Sequence, residues 1–208
     1  MKELCFFIVL VLALGSHSSA QDKFDPVSWK APYSLSLDGW GIERFPIPID
    51  FAPEISYKGV EDVRFTTGWS NPQSDEYWSY AFLWYVAGVQ KPDAKTIEKH
   101  LSMYFDGLVN RNIEKRALPK ELIKKTRTEL RKQPKPEGSD EATYTGTVEM
   151  VDYMGKKPMT LQATVHLRKY PSTDHTIIFH QFSPQKRTAP VWGKLNGLWN
   201  TFVPIVDQ

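Results

Sequence analysis

The chain is almost without cysteine: Cys5 is the only one, and it sits in the apolar run that opens the sequence. Residues 21–208 therefore hold no thiol, which excludes disulfide stapling, thiolate catalysis and cysteine metal sites, and no cysteine stands where a lipoprotein would be acylated. Glycine-rich phosphate loops are missing as well. GWSNP, residues 68–72, is not a nucleophile elbow, because no second glycine follows Ser70. Asn-x-Ser and Asn-x-Thr do not occur, so nothing indicates glycosylation. After residue 20 no stretch approaches the roughly 20 apolar residues of a membrane-spanning helix. Charge of one sign is lacking too: 26 Lys and Arg oppose 24 Asp and Glu, and a net of +2 selects no partner.

What is present begins with Lys2, an apolar run over 4–14, and the small residues Ser18, Ser19 and Ala20 before Gln21. This reads as a secretory signal peptide over 1–20, with an uncleaved anchor as the alternative. The expectation is an exported soluble chain, periplasmic or extracellular, with 21–208 as one α+β domain. An exported protein without disulfides must rely on an ordinary core, and seven tryptophans supply one.

The charge is unevenly spread. Residues 111–135 carry ten Lys or Arg, among them Lys120, Lys124, Lys125, Arg127 and Arg131, against Glu114, Glu121 and Glu129. Such a basic patch could face an anionic component of the cell envelope; the plainer reading is a solvated helix face. Nucleic acid is not expected, since no aromatic side chain interleaves the charges to stack on bases.

The strongest core signal is YWSYAFLWYV, residues 77–86. As a strand it is apolar on both faces, so it should be central and covered on both sides. Before it, Pro26, Pro32, Pro46, Pro48 and Pro53 make 21–53 an extended segment, with an edge strand over 47–51, and 59–65 reads as a strand. After it, Asp93 can cap a helix to about 110 whose stripe is Ile97, Leu101, Tyr104, Phe105 and Leu108, with Gly107 allowing close packing. A second, surface helix is expected over 119–132, then a Pro and Gly loop over 133–140, strands over 143–153, 159–170 and 175–182, and an amphipathic helix over 190–202.

The first C-terminal hairpin registers with Gly155 and Lys156 at its turn, opposing Met150 to Leu161 and Thr145 to His166. The second is ambiguous. A four-residue loop opposes Leu167 to Ile178 and sends His180 to the apolar face, whereas a three-residue loop brings it to the polar face. There Glu149, Gln162, His166, Arg168 and His180 could share one surface, offering acid and base groups or an anion site. The bland alternative is the wet side of an antiparallel sheet. Two histidines with an unplaced carboxylate make no metal-ligand spacing, so neither metal nor cofactor is expected.

Trp69, Tyr77 and Trp78, with Tyr80, form a second candidate, since rings at such spacing can stack on a sugar or another small molecule; aromatic residues at alternating strand positions are more often core. Asp62 and Arg64 share a strand face and can pair, while Glu61 points the other way.

The run WGIERFPIPIDFAPEISYKGVEDVRFTTGW followed by EYWSYAFLWYV resembles a group of uncharacterised exported bacterial proteins over 40–108. The resemblance implies an exported bacterial setting and brings no activity or site residue with it.

The resulting expectation is an α+β fold: a mainly antiparallel, curved sheet with helices packed on its apolar face and room for a cavity. Functionally it points to a non-enzymatic binding or interaction protein for a small molecule, glycan or envelope component. The alternatives are a hydrolase-like enzyme using Glu149 and His166, and envelope association through 111–135.

Overall fold

The computed structural model describes residues 24–171 and 174–205. The predicted signal segment, Cys5 included, lies outside the described residues. The fold is α+β, built on a seven-stranded, wholly antiparallel sheet that does not close into a barrel.

Two short strands at the ends, β1 (Tyr33–Ser34) and β9 (Val203–Pro204), pair with each other. The main sheet comprises β2 (Gly41–Ile47), β3 (Gly59–Phe65), β4 (Tyr80–Ala87), β5 (Arg127–Lys132), β6 (Ala142–Asp152), β7 (Lys157–Lys169) and β8 (His175–Ser183). Their order across the sheet is β2-β3-β4-β8-β7-β6-β5. β4 is thus interior, as its two apolar faces require. One face carries Tyr80, Phe82, Trp84 and Val86, and the other Ala81 and Leu83, all buried. The edge strand on the β2 side is Gly41–Ile47, earlier in the chain than the expected 47–51; Ile49 only bridges to Ala52.

Helix α1 (Ala94–Asn110) starts where Asp93 accepts a hydrogen bond from the Thr96 amide at 2.8 Å. Its stripe of Ile97, Leu101, Tyr104, Phe105 and Val109 is buried on the Phe82 side of the sheet. Gly107 allows the closest approach: a Cβ there would lie 1.8 Å from the carbonyl oxygen of Phe51. The single-turn α2 (Ile113–Arg116) follows at once and continues on this side. Helix α3 (Pro190–Asn200) covers the sheet's other face. Val191, Trp192, Leu195, Leu198 and Trp199 bury with Ala81, Leu83, Ile177 and Phe179, and Trp199 stacks on Phe179 at 4.5 Å between centroids.

The expected helix over 119–132 does not form. One 3-10 turn (Lys120–Leu122) leads into β5, where Thr128 and Leu130 are buried and Arg127, Glu129 and Arg131 face water. The alternation over those residues has period two, and pairing with β6 satisfies it.

The first hairpin keeps its expected faces but slides by two residues, so that Met150 opposes Met159 and Thr145 opposes Thr164. The turn is a four-residue loop because the Asp152 carboxylate accepts from the Met154 and Gly155 amides, and Lys156 takes a positive φ of 51°. In the second hairpin Leu167 opposes Ile178, which is the four-residue alternative.

Candidate functional site

A substantial cavity opens on the α1 side, at the end of the sheet formed by β2, β3 and β4. Phe45, Val63, Phe65 and Tyr80 alternate inward from three neighbouring strands and make its floor. Tyr104 and Leu108 of α1 roof it, and Tyr153 of the β6–β7 loop closes one side. Trp69, half-buried, stacks on Phe65 with centroids 4.4 Å apart. The volume is about 900 Å³, enough for a molecule of drug or metabolite size.

Two features make this more than a packing fault. Tyr80 is 3 % exposed, and its hydroxyl has no hydrogen-bond partner among the described residues. Buried hydroxyls are almost always satisfied, so this one stands out behind the cavity floor, although the oxygen itself is shut off from the cavity's solvent. Burial pushes its pKa well above the ordinary tyrosine value, so it carries its proton. The second feature is the mouth, where α1 turns into α2 and sets Arg111, Lys115 and Arg116 at the cavity, with Glu43 the only carboxylate side chain lining it among the described residues.

One step along β3 from Val63 stands Glu61, fully buried. The Trp84 indole donates to its Oε1 at 3.4 Å, and the Tyr104 hydroxyl also hydrogen-bonds the carboxyl. Burial raises its carboxyl pKa to about 8, so at neutral pH it is largely protonated. Tyr104 and Tyr80 both lie close enough to feel its charge.

The sequence-predicted polar constellation does not assemble. His180 lies on the apolar face, packed against Phe82 and Trp84 at 4.3 and 4.7 Å, and burial lowers its pKa to about 3. Glu149 is 54 % exposed, pairs with Arg127 at 3.8 Å and opposes Thr160. His166 opposes Thr143, six residues from Glu149 along β6, roughly 20 Å at about 3.3 Å per residue. Gln162 is half-buried beside Thr147 and Ser183.

His166 and Arg168 do come together, around Asp140. Asp140 Oδ2 lies 2.7 Å from His166 Nδ1 and Oδ1 accepts from Arg168 at 2.9 Å, while Thr143 donates at 2.9 Å. The far ring nitrogen of His166 meets Gln181 at 3.2 Å. Desolvation would raise the Asp140 carboxyl, but its His166, Arg168 and Thr143 partners outweigh that and hold it below the usual range. Arg168 lies over the Trp199 ring at 4.3 Å, so this polar group is sealed beneath α3 and ties that helix to the sheet.

Of the aromatic candidates, only Trp69 presents itself to the cavity as a half-exposed ring. Trp78 is 1 % exposed at the wall, and its indole and the Tyr77 hydroxyl both donate to Asp152 at 2.9 Å. They clamp the 66–79 loop to the β6–β7 turn. The basic candidates are dispersed. Lys120 is on the 3-10 turn, Lys124 and Lys125 are in the following loop, and Arg127 and Arg131 lie on edge strand β5. Lys125 pairs with Asp106, and Arg127 with Glu129.

Sequence reasoning assigned no site role to Phe45, Phe65, Tyr104 or Tyr153, whereas Tyr80 was grouped with the aromatic candidates and Arg116 fell within the basic segment 111–135. The one available signal was Glu61, an acid between Gly59 and Val63 on a strand face that is otherwise apolar.

No protein family, curated protein or solved structure matches the chain. Among the described residues, no cluster of three or more His, Cys, Asp or Glu is placed to hold a metal ion. No described helix is long and apolar enough to cross a membrane.

Proposed function

We propose that this is an exported, non-enzymatic binding protein whose small-molecule ligand occupies the aromatic cavity between α1 and the β2–β4 end of the sheet. The observation that carries the reading is a cavity of about 900 Å³ floored by Phe45, Val63, Phe65 and Tyr80, with the half-exposed Trp69 ring at its side and basic side chains at its mouth. A cleft of that size lined by rings with a small number of polar groups is the usual form of a small-molecule site. The hydrolase-like alternative finds no support in the placement of Glu149 and His166, which serve an edge ion pair and a buried tie. Export rests on the sequence of residues 1–20 alone.

The test is fluorescence titration with N-phenyl-1-naphthylamine, a neutral three-ring probe that brightens in apolar surroundings. Saturable one-to-one binding is expected. Trp69→Ala should weaken it about tenfold by removing a stacking wall, and Glu149→Gln should leave it unchanged. Absence of saturable binding to the folded protein, or indifference to Trp69→Ala, would refute the reading.

A further inference from the structure

We infer that the cavity takes an amphipathic organic anion, with an apolar ring body against Phe65, Trp69 and Tyr104 and its acid group at Lys115 and Arg116. This rests on the binding reading above and adds the ligand's chemistry.

The argument comes from how the mouth is charged. Arg111 is already engaged: its Nη1 lies 3.3 Å from Asp50 Oδ1 and its guanidinium sits over the Phe51 ring at 5.1 Å. Lys115 and Arg116 are exposed and form no ion pair among the described residues. They occupy the last turn of α2, and both line the cavity. Glu43 is the single carboxylate side chain in the lining among the described residues, on the β2 side. Two uncommitted cations next to an apolar chamber match an apolar molecule that ends in a carboxylate, sulfate or phosphate.

The interior sets the rest of the ligand. Rings dominate the lining, so the body is flat or cyclic enough to lie between Tyr104 and Phe65. A polycation is disfavoured by the mouth, and a polysaccharide chain by the enclosure.

The experiment compares two probes that share one body. N-phenyl-1-naphthylamine is neutral, and 1-anilinonaphthalene-8-sulfonate adds only the acid. The sulfonate is expected to bind about tenfold more tightly at low salt and to lose that advantage as salt rises, because the cations are exposed. In the Lys115→Gln/Arg116→Gln double variant the two probes should bind alike, with the neutral probe unaffected.

If both probes bind equally to the native protein and both weaken with Trp69→Ala, the anion inference fails and the cavity reading stands. If neither binds, or if binding ignores Trp69→Ala, the cavity reading fails and takes this inference with it. Unchanged near-ultraviolet circular dichroism in each variant separates a lost site from a lost fold.

Discussion

Glu61 and His180 are buried on the same side of the sheet, each in a form that water would not favour, and together they shape stability against pH. Glu61 keeps its proton up to about 8 in the folded chain, whereas its ordinary value is 4.5. Between those values the unfolded chain has released the proton and the folded chain has not, so stability falls as pH rises through this window. His180 is neutral in the folded chain down to about 3, against an ordinary 6.5. Its contribution is complete above 6.5 and is lost as pH falls towards 3. The two effects oppose each other between 4.5 and 6.5. Urea unfolding should therefore show a plateau there, a decline towards pH 8 and another towards pH 3.5. Glu61→Gln should flatten the basic limb and turn the plateau into a rise with pH, and His180→Gln should flatten the acid limb and start the decline near pH 4.5. A basic limb that survives Glu61→Gln would show that other groups set it.

Helices α1 and α3 each contain glycine, and the surroundings decide opposite outcomes. At Gly107 an added methyl would meet the Phe51 backbone at 1.8 Å, so Gly107→Ala should destabilise by about 1–3 kcal/mol through overpacking. At Gly193 nothing lies within 4 Å, so Gly193→Ala should stabilise α3 by about 0.5–1 kcal/mol. Thermal unfolding of the two variants tests the pair, and equal shifts would contradict it. Gly107 was readable in advance because it interrupts an apolar helical stripe, and α1 itself because Asp93 supplies a cap. β5 was not: its Lys and Arg content suits an exposed helix as well as a charged edge strand, a common protection against sheet-to-sheet pairing. Sheet faces survived a two-residue register slip because a slip of two preserves side-chain parity. The missing two residues came from Asp152, whose side chain caps the turn in a way no alternation pattern encodes.

Across the whole molecule, β4 explains the arrangement. A strand apolar on both faces needs two covers, and α1 and α3 provide them, which YWSYAFLWYV implied. The cavity was not legible in the same way. Its lining draws on β2, β3, β4, the 66–79 loop, α1, α2 and the β6–β7 loop, so no spacing in the sequence marks it. The polar sheet face, which spacing did mark, is consumed by the Asp140 tie under α3 and by surface pairs at the β5 edge. The account's central claim is that the cavity, and not that face, is where a ligand sits. Its most direct test is a two-dimensional NMR titration of the folded protein with 1-anilinonaphthalene-8-sulfonate, following backbone amides and tryptophan indoles. The predicted result is a contiguous set of shifts at Phe65, Trp69, Tyr80, Tyr104 and Arg116, with Glu149, His166 and Trp199 unmoved. Shifts centred on Glu149, His166 or Trp199, or none at saturating probe, would contradict it.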